Sequence, residues 1–277
     1  MRKDNLDLDV VRDFGQEWQT YDQGSLDQAE VEMRFDGYFR IFPWEKINGE
    51  SIGADIGCGS GRWANLVAPR VHTLHCIDAS RDAIDVAKKN LGDQKNCKIV
   101  QAAVDNLPLY ENSLDFAYSL GVLHHLPDTA AGLAACVVKL KSGAPFLVYL
   151  YYAFDNRPIW FRYLWKLSDL VRRIISTLPF RLKLFVTRVI AVCVYYPLAR
   201  IALMFEKAGM DVDVFPLSAY RTTSFYTMKT DALDRFGTRL EQRFSRDEIR
   251  QMMESAGLTD IRFSDAPPYW CAVGFKK

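Results

Sequence analysis

Residues Ala54-Asp55-Ile56-Gly57-Cys58-Gly59-Ser60-Gly61-Arg62-Trp63 put glycines at alternate positions behind a short apolar run and ahead of an amphipathic one. Glycine accepts the backbone twist of a tight strand-to-helix turn and lets a ligand approach the main chain closely. A nicotinamide-dinucleotide fingerprint needs G-x-G-x-x-G. Here Arg62 stands where its third glycine belongs, and Asp55 precedes the first glycine by two residues. The turn therefore serves a different ligand.

Around it, residues 51–150 alternate short apolar runs with amphipathic segments, the rhythm of βαβ units. The pattern predicts strands near 51–56, 73–77, 97–102, 114–119 and 144–150, and helices near 60–68, 80–91 and 128–141 with Ser80 and Asp128 as N-caps. Ser245-Arg246-Asp247-Glu248 reads as a capping box opening a helix to Ala256, with Gly257 as its C′ residue. Strands at 259–264 and 269–275 follow as a terminal hairpin. The expected fold is α/β, a doubly wound, mostly parallel seven-stranded sheet with an antiparallel terminal strand, plus a largely helical insertion. The expected domains are an N-terminal helical cap at 1–50, a catalytic domain at 51–150 and 236–277, and a lid or insertion for the acceptor at 151–235.

D-x-G-x-G-x-G behind a first strand resembles motif I of the class I methyltransferases. Asp105-Asn106-Leu107-Pro108-Leu109, Asn112-Ser113-Leu114-Asp115-Phe116 and Ser119-Leu120-Gly121-Val122-Leu123-His124-His125-Leu126 resemble the type 11 group, which includes quinone-biosynthesis enzymes. The resemblance spans residues 51–150 and implies S-adenosylmethionine as cofactor and S-adenosylhomocysteine as product. It implies a cofactor site made of Asp55, Gly57, Cys58, Gly59, Gly61, Asp78, Ala79, Val104, Asp105 and Ser119. Asp78, 23 positions after Asp55, ends the second strand and is expected to accept both ribose hydroxyl protons; a helix-terminal acid beside Ser80 is the alternative. In the group an acid often meets the adenine amine where Ala103 stands here, so adenine recognition is expected to rest on the Val104 backbone amide. Ser119 is expected to turn its carbonyl toward the cofactor's ammonium group. His124 and His125 are the general-base candidates, with packing beneath the cofactor as the alternative.

Phe14-Gly15-Gln16-Glu17-Trp18-Gln19-Thr20-Tyr21 resembles a segment that folds over the cofactor in some class I enzymes, and its spacing equally suits a helix covering the core. From Arg157 to Met204 there are nine basic residues (157, 162, 166, 172, 173, 181, 183, 188, 200) and one acid, Asp169, in a chain of net charge +1. Aromatic residues are interleaved with them, and the longest uncharged run, Val189–Ala199, is 11 residues, shorter than a bilayer span. The insertion is read as a lid or homodimer face, or as a peripheral membrane contact. The near-neutral total argues against nucleic acid as partner. The scattered cysteines, without a C-x-x-C pair, argue against a metal site and for a reducing cytoplasm. The start Met1-Arg2-Lys3-Asp4-Asn5-Leu6-Asp7 lacks the apolar run of an export signal, so the expected location is cytoplasmic, at or near the inner face of a membrane.

The function expected is methyl transfer to a small or amphipathic acceptor: a quinone, polyketide, sugar or lipid-like molecule. Tyr152, Asp155, Tyr226, Asp234 and Arg235 are candidate acceptor contacts. The alternative is a non-catalytic subunit of the same fold that uses the insertion as an interaction surface.

Overall fold

A computed structural model describes residues 5–277; Met1–Asp4, part of the run read above as lacking an export signal, lie outside the described residues. The strands are β1 (Ile52–Ile56), β2 (Thr73–Asp78), β3 (Cys97–Gln101), β4 (Phe116–Leu120), β5 (Pro145–Tyr149), β6 (Leu258–Phe263) and β7 (Cys271–Lys276). The helices are α1 (Leu8–Thr20), α2 (Gln28–Phe39), α3 (Ala64–Val67), α4 (Arg81–Asn90), α5 (Thr129–Val137), α6 (Ile159–Ile175), α7 (Phe180–Ile190), α8 (Tyr196–Lys207), α9 (Phe225–Gly237) and α10 (Arg246–Ser255). The chain divides into two compact units. One comprises the residues up to Gly24 with Val31–Ala153 and Leu240–Lys277, and the other Ser25–Glu30 with Phe154–Arg239. The first boundary of the insertion thus falls at 153/154 where the sequence pattern suggests 150/151.

The first unit holds one seven-stranded sheet in the order β3-β2-β1-β4-β5-β7-β6. The first five strands pair in parallel, and β7 runs antiparallel between β5 and β6. Central strands such as β4 and β5 are apolar almost throughout because both faces are covered, whereas edge strand β3 carries exposed Lys98. Gly53 in β1 lies opposite Phe116 of β4, and a β-carbon there would stand 2.1 Å from the phenyl ring. Only glycine fits that pairing.

The helix ends form for local reasons. Ser80 accepts from the Ala83 amide, Asp128 from the Ala131 amide, and Ser245 and Glu248 close the reciprocal capping box. The helix expected over 60–68 shrinks to α3. Gly59 and Gly61 take φ +52° and +77°, left-handed values that a right-handed helix cannot contain, so the chain stays in a loop to Trp63. The helix expected over 128–141 ends at Val137, because Leu140 leaves it to bridge Leu114.

The second unit is helical. Its apolar centre is small: Ile175, Ala191, Tyr195, Ala199, Met228, Ala232 and Phe236. Buried polar side chains surround it. Asp169 accepts from Arg172 Nε at 2.7 Å and Arg173 Nε at 3.0 Å, and Arg172 Nη1 donates to the carbonyls of Thr238 and Arg239. Lys183 Nζ donates to the Gly237 carbonyl at 3.0 Å. Two cations therefore satisfy the open carbonyls at the C-terminal end of α9, where the helix dipole is negative. Arg172 and Lys183 read from the sequence as surface charge, yet both are buried for this reason.

Helices α7 and α8 run on through a π-turn, Ala191–Tyr195. Pro197 follows directly, and the widened turn accommodates a residue that cannot donate and that crowds the preceding turn. The resulting helix, Phe180–Lys207, has 28 residues and a mean hydropathy of 1.6 over its most apolar stretch, long and apolar enough to cross a membrane by length and composition. The 11-residue limit drawn from the uncharged run alone is thus corrected. Helix continuity and mean hydropathy set the reach, and these tolerate Arg188 and Arg200.

Candidate functional site

The carboxyl ends of β1, β2 and β4 open on a cavity of about 120 Å³ lying wholly within the first unit. Its wall is made by Ile56 and Gly57 at the end of β1, Ile77 to Ser80 at the end of β2, Ala102 and Val104 after β3, and Leu120 to Val122 with His125 and Leu126 at and after the end of β4. This is the crevice at the strand-order reversal where doubly wound sheets bind ligands. Helix α1 closes the remaining side with Val10, Val11, Phe14 and Trp18.

The glycine turn is built around Asp78. Gly59 N–H donates to Asp78 Oδ2 at 3.0 Å and Ser80 N–H to Oδ1 at 2.8 Å. Burial pushes the Asp78 carboxyl up from its ordinary range, and these amide bonds pull against that shift. A carboxylate offers about four lone-pair positions, so both oxygens retain capacity for hydroxyl donors. Gly57 has φ +81°, and a β-carbon on it would lie 2.3 Å from the Val122 side chain. A β-carbon on Gly59 would lie 2.8 Å from the Trp18 indole, which rests on the turn.

Asp55 has a different job. It is buried, its Oδ2 accepts from the Tyr118 hydroxyl at 3.0 Å, and burial pushes its pKa up to about 8. A folded-state value above the ordinary 3.8 means that stability is fully present below 3.8 and is lost as pH rises toward about 8. Thermal melting from acidic to mildly alkaline pH is expected to show wild type losing stability. Asp55→Asn, which retains an acceptor for Tyr118, should stay flatter. Equal slopes would remove Asp55 as the origin.

Among the sequence candidates, Gly57, Asp78, Ala79, Val104 and His125 line the cavity. Asp55, Cys58, Gly59, Gly61, Asp105, Ser119 and His124 are not on its wall. Ser119 is buried and its hydroxyl donates to the Ile56 carbonyl, while Asp105 accepts from the Asn5 amide. His124 is fully buried, with its ring 3.8 Å from that of Tyr151, and burial holds it neutral, well below the usual imidazole range. The two histidines therefore separate. His125 Nδ1 lies 2.6 Å from the Leu240 carbonyl, which can only accept, so Nδ1 carries the proton and Nε2 is the basic nitrogen of the neutral ring. Its ring also meets Phe14 of α1 at 4.8 Å.

None of the five acceptor candidates lines this cavity. Tyr152 belongs to the sheet unit, bridging Phe244 and packing on Tyr269 and Trp270. Asp155, Tyr226, Asp234 and Arg235 belong to the helical unit, where Arg235 stands over Trp165 and 3.9 Å from Asp169. The pattern missed Gln242, whose side chain donates to the Leu126 carbonyl at 2.6 Å and whose amide donates to the His124 carbonyl, bracing the histidine loop. No local signal marks it, since its partners lie far back in the chain.

Residues 54–148 match the type 11 family profile described as a methyltransferase domain. A Caenorhabditis elegans protein named phosphoethanolamine N-methyltransferase 2 is 32% identical over 101 residues, 35% of this chain and 23% of that one. A Thiobacillus denitrificans ubiquinone biosynthesis O-methyltransferase is 33% identical over 92 residues, 32% of this chain and 39% of that one. The chain thus spans well under half the length of these curated relatives. Among solved structures, a putative methyltransferase of Haloferax volcanii in complex with the Trm112 activator superposes with TM-score 0.55 at 14% identity, covering 95% of this chain and 96% of that one. A Thermotoga maritima S-adenosylmethionine-dependent methyltransferase superposes with TM-score 0.52 at 14% identity, covering 97% and 100%. These likenesses establish the fold.

Proposed function

We propose that this chain, whose residues 54–148 form a class I S-adenosylmethionine-dependent methyltransferase domain of the type 11 group, transfers a methyl group to a small or amphipathic acceptor such as a quinone, polyketide, sugar or lipid-like molecule. The observation that carries this reading is Asp78, fixed by the Gly59 and Ser80 amides at a cavity that Gly57 keeps open and Ala102, Val104 and Leu126 make apolar. The residues fit the cofactor: Asp78 for the ribose hydroxyls, the Gly57–Gly59 backbone for the amino-acid end, and Val104 beside an apolar slot for the purine. When bound, the cofactor supplies an electrophilic methyl on a sulfonium.

The protein's part is positioning and dryness. Phe14 and Trp18 shield the cavity from water, and a nucleophile held in line needs little further help than loss of its proton. His125, on the cavity wall with its Nδ1 proton on the Leu240 carbonyl, is the base this reading assigns to that proton, through Nε2. The relatives named above act on chemically unlike acceptors, so the mainly apolar wall carries the choice of an amphipathic one. A chain of net charge +1 offers no general field for a polyanion such as tRNA.

Calorimetry with S-adenosylmethionine and S-adenosylhomocysteine tests the reading. Wild type is expected to bind both at micromolar levels. Asp78→Ala loses a charge-assisted acceptor that also holds the glycine turn, and should bind about 10- to 150-fold more weakly, or about 1.5–3 kcal/mol. Absence of binding by folded wild type would favour the non-catalytic alternative, and unchanged affinity in Asp78→Ala would sink the ribose assignment.

A further inference from the structure

Around its small apolar centre, the helical unit turns much of its apolar surface outward. Helix α6 buries Asp169 and Arg172 and exposes Trp160, Tyr163, Leu164, Leu167, Leu170 and Ile174, which recur at helical spacing along one face and are 45–66% exposed. The 28-residue helix repeats the arrangement, burying Lys183 and Thr187 while exposing Leu182, Phe185, Val189, Val192 and Tyr196. A unit that buries ion pairs and exposes two long aliphatic and aromatic faces has its outer surface matched to an apolar medium.

Charge identifies that medium. At 3.6 residues per turn, Arg162, Lys166 and Arg173 fall within about 40° of arc on one border of the α6 face. Arg181 and Arg188 border the α7 face in the same way. The one acid between Arg157 and Met204 is Asp169, and it is buried. The α6 and α7 borders thus carry a single sign, and Glu206, near the far end of the long helix, is paired with Arg221 at 2.7 Å. A second copy docking antiparallel by two-fold symmetry would bring such a border against itself, like charge on like charge. An anionic phospholipid surface offers the opposite charge beside an apolar interior.

We infer that the helical unit binds anionic lipid bilayers, with the exposed apolar faces of α6 and of the Phe180–Lys207 helix entering the headgroup–acyl boundary and Arg162, Lys166, Arg181 and Arg188 meeting the phosphates. The long helix offers lipid one face only, because Lys183 Nζ ties its other face to the α9 carbonyl of Gly237. It therefore lies along the surface. This inference concerns the helical unit alone and stands whichever acceptor is methylated.

Flotation of the full chain with phosphatidylcholine and with phosphatidylcholine–phosphatidylglycerol vesicles is the test. Wild type is expected to float with the anionic vesicles at low ionic strength, and less at high ionic strength. The triple variant Arg162→Gln, Lys166→Gln, Arg181→Gln should bind on the order of 100-fold more weakly at low ionic strength. Leu167→Asp with Phe185→Asp alters exposed side chains only, and should melt like wild type and stay at the bottom of the gradient. As a readout within the wild-type fold, brominated acyl chains should quench Trp160 fluorescence, a signal lost in Trp160→Phe. Wild type left at the bottom with both vesicle types would overturn the inference. So would a Leu167→Asp, Phe185→Asp protein that turns a dimer into a monomer by light scattering while floating as before.

Discussion

A Gly59→Val protein is expected to bind S-adenosylmethionine at least about 100-fold more weakly than wild type while keeping its sheet. Gly59 has φ +52°, where a β-branched residue is strained, at roughly 1–2 kcal/mol. Its added carbons meet the Trp18 indole, a side chain on α1 that can shift, and not the core of the sheet. The melting temperature should therefore fall by only a few degrees, taking about 2–4 °C per kcal/mol for a domain of this size. Binding is hit harder. The valine fills the approach to the turn and disturbs the amide that Asp78 holds at 3.0 Å. Calorimetry beside a thermal melt separates the two effects. A mutant that unfolds would mean that this glycine serves the turn itself, and a mutant that binds normally would remove the turn from the cofactor site.

The second large effect is expected at His125. His125→Asn keeps a donor for the Leu240 carbonyl and removes the basic nitrogen, so kcat should fall by about 10²- to 10⁴-fold, with cofactor affinity changed no more than a few-fold. Methyl transfer from labelled S-adenosylmethionine to a panel of the proposed acceptor classes, with a catechol among them, is the measurement. His124→Asn is the control: that residue is fully buried and off the cavity wall, so its change should lower stability more than kcat. Equal kcat in wild type and His125→Asn would make this ring a wall of the cavity and leave the acceptor to lose its proton to water.

Much of this arrangement is written locally in the chain. Apolar runs specify central strands such as β1, β4 and β5, because a buried parallel strand must be apolar nearly throughout. Ser80, Asp128 and the Ser245–Glu248 box mark helix starts through bonds that reach only three residues ahead. Gly57, Gly59, Gly61 and Asp78 announce a ligand turn because spacing alone puts an acid and flexible backbone at neighbouring strand ends. By itself, then, the sequence determined the sheet and the turn, which rest on short-range periodicity and capping, and it pointed to the cofactor class through the resemblance of the D-x-G-x-G-x-G turn to motif I of the class I methyltransferases.

What required the tertiary structure were choices among chemically equivalent residues. Two adjacent histidines are alike as letters. The Leu240 carbonyl, from a distant segment, orients His125 at the cavity, while Tyr151 and the core close over His124. Asp55 reads as a ligand contact, yet Tyr118 on the neighbouring strand takes its oxygen. Arg172 and Lys183 look like surface charge, but they cap the end of α9, so the apolar residues between them face outward. Each outcome depends on which distant carbonyl or hydroxyl satisfies a buried polar group. Periodicity along the chain carries no information about that, because burial and hydrogen bonding are settled only when segments far apart in sequence are packed together.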